Sequence, residues 1–400
     1  MGNSPNVRKR RRLSAAAASV ALVAAIALGA CGGGDSDEPA TADSDASFAA
    51  IREAAQGQTV RWWMFGGDQR INEYVDEVVA PAAEEAGIEV ERVPVSDTAD
   101  AVQRVVSQRR AGKSDGGAVD LIWINGENFA AGKEAGLWLE DWAGGLPNSR
   151  FVNLDDPSIN RDLQVPIDGQ ESPWSRAAFV FAHDQERTPE PPDDFDELLD
   201  YARENPGRVT YPAPPDFTGT SFVKQVVLTK GEDEAFDYLA ELKPLMWRDG
   251  EAFPRDEAEL NRLFADDQVD FAMSFDPSFI AGAVRKGEFA DTARPFLLGG
   301  GALVNASYVT IPADAANPEG AQVLADLLLD PRLQALKADP ERLGIPSVLD
   351  PDRLDAMQRG RLEASVDSPY LLDGFGEVVE ELPADRVAPL EERWKREILP

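Results

Sequence analysis

The sequence predicts an α/β protein that begins as a doubly wound parallel sheet and continues into a second lobe. Three observations lead there. Residues 119–124 form an apolar run of strand length, rich in β-branched and aromatic side chains, as expected of a strand covered on both faces. The run turns polar around Gly126 and enters a helical stretch through Ala135, which makes half of a βα unit. Two similar strand-to-helix passages precede it, at residues 59–79 and 88–106, so the order reads β-α-β-α-β-α. In open sheets of this kind, ligands lie outside the carboxyl ends of the strands, where helix N-termini offer free backbone N–H groups.

Taken in order, the chain starts as an export signal. Arg8-Lys9-Arg10-Arg11-Arg12 is a basic segment, residues 13–28 are Ala-rich and apolar, and Leu28-Gly29-Ala30-Cys31 closes the stretch with small residues. The apolar part is too weak and too near the terminus for a permanent span. A cysteine directly after Leu-Gly-Ala resembles the bacterial lipobox, in which cleavage leaves the cysteine N-terminal and acylated; an ordinary cleavage site with an incidental thiol is the alternative. The arginines lack the following apolar pair of a twin-arginine signal, so the export route stays open. Cys31 is the single cysteine, which excludes a disulfide or a Cys-based metal site within one copy. Residues 31–56 are Gly, Ser, Asp, Ala and Thr with few large apolar side chains, and read as a disordered tether. With 39 Lys+Arg against 72 Asp+Glu, the net charge is −33, and it becomes more negative once the basic leader is removed. That excludes a simple nucleic-acid or anionic-membrane binder.

Beyond the tether, residues 59–65 form the first strand, ended by Gly66-Gly67-Asp68, and Ile71, Tyr74, Val75 and Val78 have helical spacing up to Pro81. Residues 88–93 alternate as a strand with one more exposed face. Ser96-Asp97-Thr98 caps a helix with Val102, Val105 and Val106 on its buried stripe, closed by Gly112. Residues 137–151 are irregular and aromatic. A Pro/Gly-rich stretch from Val165 to Trp174 runs into a strand at 177–181, which suits a crossover between domains. The second domain continues with helices at 193–203, 233–242 and 255–264, a short strand at 208–211, and a helix at 222–228 introduced by Thr218-Gly219-Thr220-Ser221. A strand at 269–273 ends in Ser274-Phe275-Asp276-Pro277, with Pro277 suited to a first helical turn. Strands at 294–298 and 302–311 return to the first domain, and the remainder is helical.

These pieces resemble the extracytoplasmic solute-binding proteins of bacterial ABC importers. Asp97-Thr98-Ala99-Asp100-Ala101-Val102, residues 119–131 and Tyr211-Pro212-Ala213-Pro214-Pro215-Asp216-Phe217-Thr218-Gly219 resemble the YnjB-like branch, related to thiamine- and polyamine-binding members. The resemblance implies a two-lobe periplasmic-binding-protein-like (type II) fold with crossing hinge strands. Lobe I would comprise residues 57–172 and 296–344, and lobe II residues 173–295, with the C-terminal helices of 345–400 packed against it. It also implies a ligand in the cleft, contacted by Trp63, Gly67, Asp68, Asn125, Glu127, Asn128, Trp174, Thr220, Ser221, Phe275 and Asp276. The implied role is a monomeric receptor, lipid-anchored through Cys31, that hands a small-molecule solute to an ABC permease and its ATPase. No enzyme activity, cofactor, metal or nucleic acid belongs to this expectation.

The residue types narrow the chemistry. Trp63 offers a platform for a ring or an ammonium group, although strand alternation points Trp62 and Trp63 to opposite faces and one of them packs in the core. Asn125 and Glu127 also suit capping and helix-dipole roles, as Asp68 and Asp276 suit helix starts. Thr220 and Ser221 can donate to a ligand at a helix N-terminus or simply cap it. Trp174 sits in the crossover, facing a ligand or packing between lobes. Acids with tryptophans favour a cationic or zwitterionic organic solute; a phosphate or sulfate would want basic residues in the same loops. A secreted carboxylate-dependent hydrolase is the rival class. The sole histidine, His183, reads as a strand end, and no His-Glu-x-x-His motif is present. A solute-sensing lipoprotein using the same cleft is the other alternative. The chain has no Gly-x-x-x-x-Gly-Lys-Ser/Thr phosphate loop, so ATP chemistry is not its own.

Overall fold

Alternating strands and helices of the N-terminal half build one side of the molecule, and strands returning from the second half complete it. The computed structural model describes residues 41–400, apart from Asp68, Ser96, Asn125, Gly300, Glu380 and Pro400. The lipidation candidate Cys31 therefore lies outside the described residues, as do the site candidates Asp68 and Asn125.

Helix α1 (Thr41–Ala54) precedes β1 (Thr59–Phe65), whose inward residues Val60, Trp62 and Met64 are fully buried. Helix α2 (Gln69–Tyr74) continues through a π turn into Ala80–Glu85 and leads to β2 (Glu89–Val95). Helix α3 (Thr98–Arg110) starts where the Asp97 carboxylate accepts from the Ala99 N–H. Then come β3 (Leu121–Ile124) and α4 (Glu127–Glu134). Two long strands follow at intervals: β4 (Glu171–Ala178), joined closely to β5 (Val180–Asp184), and later β8 (Gly301–Thr310). Between them lie α5 (Phe195–Glu204), α6 (Phe217–Lys230), α7 (Glu232–Leu242), α8 (Glu257–Ala265), β6 (Phe271–Ser274), α9 (Phe279–Arg285) and β7 (Ala293–Phe296). Strand β8 (Gly301–Thr310) is followed by α10 (Pro318–Leu328), α11 (Pro331–Ala338), α12 (Ala356–Ser365), β9 (Glu377–Val379) and α13 (Ala384–Glu397).

Strand β1 pairs in parallel with β2 and with β3, which is the doubly wound start expected from the sequence. Strand β8 joins antiparallel to β3, with Tyr308 opposite Ile124, and to β4, with Val304 opposite Ala178 and Thr310 opposite Glu171. A second antiparallel sheet has the order β6-β5-β7. Two bodies of apolar side chains result, with a third cluster around Val102, Ile122, Ile124 and Phe129 that shares β1 and β3 with the first. The first gathers Val60, Trp62, Leu121, Trp174, Val309, Leu324 and Leu349; the second gathers Phe179, Phe181, Phe222, Leu239, Phe271, Val304 and Trp394. No described helix is long and apolar enough to cross a membrane.

Four expectations need correction. The stretch read as tether through Gln56 contains α1, whose Phe48 is 2% exposed in the first core; Phe48, Ile51 and Ala55 give it an apolar stripe at helical spacing. Leu349, Leu354 and Leu362 pack on the first core rather than the second, so among the C-terminal helices α13 alone brings Leu390 and Trp394 to the second. Residues 209–211 form no strand. They run without regular structure towards the α6 start, and Tyr211 stacks on Phe222 at 4.5 Å while its hydroxyl accepts from Trp394 Nε1 at 2.9 Å. Trp174 is wholly buried in the first core, edge-on to Trp123 at 4.8 Å and to Trp62 at 5.8 Å, with the Lys337 ammonium 5.1 Å over its ring. Burial of Lys337 pushes its amine well below the ordinary lysine range.

A single carboxylate ties three parts of the first body together. Asp120, fully buried, accepts from the Arg61 backbone N–H at 2.9 Å, from Arg61 Nε at 2.8 Å, and from the backbone N–H groups of Ala316 and Asn317 at 3.0 Å each. It therefore fixes β1 to the start of β3 and to the turn before α10. Removing a buried acceptor of several donors leaves them unpaired in a dry site. Asp120→Ala should lower the unfolding free energy by about 3 kcal/mol in urea titration, whereas a change within about 0.5 kcal/mol contradicts this role.

Candidate functional site

The N-terminal end of α4 and the first turns of α6 face each other across a cleft of about 330 Å³. Its walls are Gly126, Glu127 and Asn128 from the first body, Phe217, Thr220 and Lys224 from the second, Asn305 from β8, and Glu381 and Glu391 from the C-terminal segment.

Each wall follows from local sequence. At the α4 entry Gly126 has φ +65°, a conformation that favours glycine, and its N–H donates to Asp162 Oδ2 at 2.6 Å. Helix α6 begins at Phe217 because the Asp216 carboxylate accepts from the N–H groups of Thr218 and Gly219 at 3.0 Å each. A Cβ on Gly219 would come within 2.0 Å of the Pro212 carbonyl, so glycine lets the helix start lie against that segment. Phe217, Thr220 and Lys224, spaced by three and four residues, then share one helical face. Phe217 is 59% exposed and packs on Phe275 at 5.2 Å. The Lys224 ammonium contacts both Glu381 oxygens, at 2.5 and 2.9 Å, and stands 5.6 Å over the Phe217 ring. Thr220 donates to Glu391 Oε1 at 2.7 Å, and Gln164 Nε2 holds the Glu381 carbonyl at 3.0 Å.

The electrostatics are lopsided. Four carboxylates, from Glu127, Asp162, Glu381 and Glu391, line the cleft with one ammonium. Burial pushes the Asp162 carboxyl up to about 7, opposed by the Gly126 N–H, and burial also raises Glu381, opposed by Lys224. Glu171, behind the cleft wall, is raised well above the carboxylate range by burial first and then by Asp162.

Of the residues expected at the site, Glu127, Asn128 and Thr220 meet in this cleft, and Phe275 braces the exposed Phe217 ring from behind. The other described candidates lie elsewhere. Trp63 is half-buried against the α3 and α4 face and donates from Nε1 to the Ala118 carbonyl at 3.3 Å. Gly67 is exposed at the β1 turn. Trp174 is in the core. Ser221 is fully buried and donates to the Phe217 carbonyl at 2.7 Å, because α6 starts at Phe217 rather than Phe222 and places Ser221 in its second turn. Asp276 caps Ser278 and pairs with Arg70 at 3.5 Å, a contact between the second body and α2. Sequence reasoning passed over Asp162, Phe217, Lys224, Asn305, Glu381 and Glu391. The Asp216-Phe217-Thr218-Gly219 run was the available signal for the helix start, and the 217/220/224 spacing for its face.

His183 lies in β5 outside the cleft lining, its Nδ1 2.7 Å from the Thr188 carbonyl and its ring edge-on to Phe296 at 5.5 Å. Burial lowers its pKa. Among the described residues, no group of three or more His, Cys, Asp and Glu is placed to hold a metal ion.

Two bodies joined by crossing strands, with a polar cleft between them, define a two-lobe binding protein of the type II periplasmic class. Residues 77–352 match the family model of bacterial extracellular solute-binding proteins, and the chain belongs to that family. Its members are non-enzymatic transport components, which places the chain among extracytoplasmic solute-binding proteins of ABC transporters. Protein YnjB of Escherichia coli (strain K12) is 37% identical over 362 residues, covering 86% of this chain and 92% of that protein. Among solved structures, a putative extracellular solute-binding protein from Bordetella parapertussis superimposes with a TM-score of 0.65 at 14% identity, covering 85% of this chain and 98% of that one. A periplasmic thiamin binding protein gives a TM-score of 0.57 at 19% identity, covering 86% and 96%.

The raised Asp162 carboxyl has a thermodynamic consequence. An acid whose folded-state pKa lies above its unfolded value takes up protons on folding, so stability is lost as pH rises from about 4 to about 7. Asp162→Asn, which retains an acceptor for Gly126, removes that loss. The variant should gain about 2–4 kcal/mol on the wild type between pH 4.5 and 7.5 in urea titrations; an unchanged difference contradicts the assignment.

Proposed function

We propose that this protein is a lipid-anchored receptor that captures a small cationic or zwitterionic organic solute and delivers it to an ABC permease. The observation that carries the ligand class is the charge of the cleft: four acidic side chains, of which Asp162 is raised to about 7, and the open Phe217 ring against one ammonium already engaged by Glu381. Carboxylates and an aromatic face both favour a cation, and an anion would find only one basic group there. Glu127, exposed at the α4 entry, and Asn128 contact the solute from one side, and Thr220 and Phe217 from the other. Contacts from both sides make ligand binding favour a closed arrangement, which is what a permease can distinguish from the empty receptor. The anchor rests on the Leu28-Gly29-Ala30-Cys31 sequence.

A thermal-shift panel of organic cations, zwitterions, anions and sugars tests the ligand class, with calorimetry on the hits. A cation or zwitterion should raise Tm and be recovered chemically unchanged. Glu127→Gln should weaken that ligand about tenfold, about 1.4 kcal/mol, while leaving the free protein's Tm in place. Stabilisation by anions or neutral sugars alone contradicts the reading, and conversion of the hit to product moves the chain to the hydrolase alternative. For the anchor, Cys31→Ser should move the protein from the membrane fraction to the soluble fraction; an unchanged distribution contradicts lipidation.

A further inference from the structure

Lys224 occupies the setting that an organic cation would seek. Its ammonium is bound by both oxygens of Glu381, at 2.5 and 2.9 Å, and stands 5.6 Å over the Phe217 ring. A carboxylate opposite an aromatic face is the chemistry that holds alkylammonium groups. Lys224 and Glu381 are 5% and 8% exposed, so the pair is largely desolvated, while Phe217 remains 59% exposed to the cleft. All three residues line that cleft. The anchors around them are independent of Lys224: Gln164 holds the Glu381 backbone carbonyl, and Phe275 supports the Phe217 ring. The ring and the Glu381 backbone therefore keep their places when the ammonium leaves, which leaves the carboxylate tethered at the cleft wall. The Lys224 stem is flexible and enters from α6, which lets its charged end swing away while the helix stays fixed.

We propose that Glu381 and Phe217 form a cation cage in which Lys224 is the resident occupant, and that the ammonium group of the solute enters this cage by displacing Lys224. The inference rests on the cationic-solute reading but concerns a separate property: internal competition that sets affinity. In the empty receptor Lys224 neutralises Glu381 and keeps the second wall formed. Inorganic cations are excluded because they gain little from the ring relative to their hydration, and a solute must supply enough further contact, through Glu127 and Thr220, to compete. A pair that served only to staple the C-terminal segment to α6 would use the same two residues, but its cage would not accept a cation from solution.

Methylammonium chloride separates the two, with sodium chloride at equal ionic strength as the control. In Lys224→Met the side-chain stem is kept and the ammonium removed, so an added cation must reach Glu381 from the cleft. Methylammonium should then raise Tm saturably, with half-saturation at least tenfold lower than for the wild type. Lys224→Met/Glu381→Gln should lose the response. If Lys224→Met does not fold, Lys224→Gln, whose amide still donates to Glu381, should show the same order relative to wild type. Equal responses in all proteins, or none in the single variants, overturn the cage. Because the probe is methylammonium and not the natural solute, its failure removes the cage alone; failure of the solute panel removes the receptor's ligand class.

Discussion

The antiparallel pairing of β4 with β8 is the constraint on which the rest of the molecule depends. Its register runs from Val304 opposite Ala178 at one end to Thr310 opposite Glu171 at the other, with an irregularity between Ser307 and Tyr308. One end of the pair belongs to the second body, through Ala178, Leu303 and Val304, and the other to the first, through Trp174 and Val309. Among the described strands, these two contribute side chains to both cores. Slipping the pair by one residue would turn Trp174 and Val309 out of the first core and Val304 out of the second. The two bodies are thus fixed to each other by hydrogen bonds that any opening must bend around rather than break. An irregularity inside a ladder is where such a bend costs least.

The cleft takes its position from this crossing. Asn305 lies on β8 between the residues that enter the two cores, and it lines the cleft beside Glu127 and Lys224. A solute held there touches both bodies and the strand that joins them, so its binding energy can bias their relative arrangement directly. The C-terminal segment adds a third element. Strand β9 pairs with the start of β8, the chain then places Glu381 on Lys224, and α13 docks on the second core with its Glu391 on Thr220. Two of the four cleft carboxylates thus arrive from a part of the chain remote in sequence from the helices that they face. The low dielectric of the site strengthens each of their interactions with a cation.

How far the sequence could be read follows the range of the interactions involved. The three βα passages were legible because strand runs, glycine turns and helical spacing are local, and they appear as β1 to α4 with Asp97 capping α3. Glu127 and Asn128 were legible as cleft residues because the sheet topology alone puts the β3–α4 junction at a strand's carboxyl end. Trp174 and Ser221 were read as candidates because aromatic and hydroxyl side chains suit ligands equally well as cores. What decides between those roles is packing from distant residues, such as Lys337 and Trp123 around Trp174. Glu381 and Glu391 were illegible for the same reason: in a chain with 72 acidic residues, only the tertiary path of the C-terminal segment distinguishes them. The early start of α1 was visible in the Phe48, Ile51 and Ala55 spacing, but the surrounding polar composition masked it.

The measurement that bears most directly on this account is a crystal structure of the protein purified under native conditions from an exporting cell and never denatured, so that any resident solute is kept. The account predicts an organic molecule bearing an ammonium or other cationic group between α4 and α6, contacted by residues of both cores and by β8. Density for a ligand in another cavity, such as the one beside Ile167 and Pro173 on the outer edge of β4, with the α4–α6 cleft holding none, would contradict it.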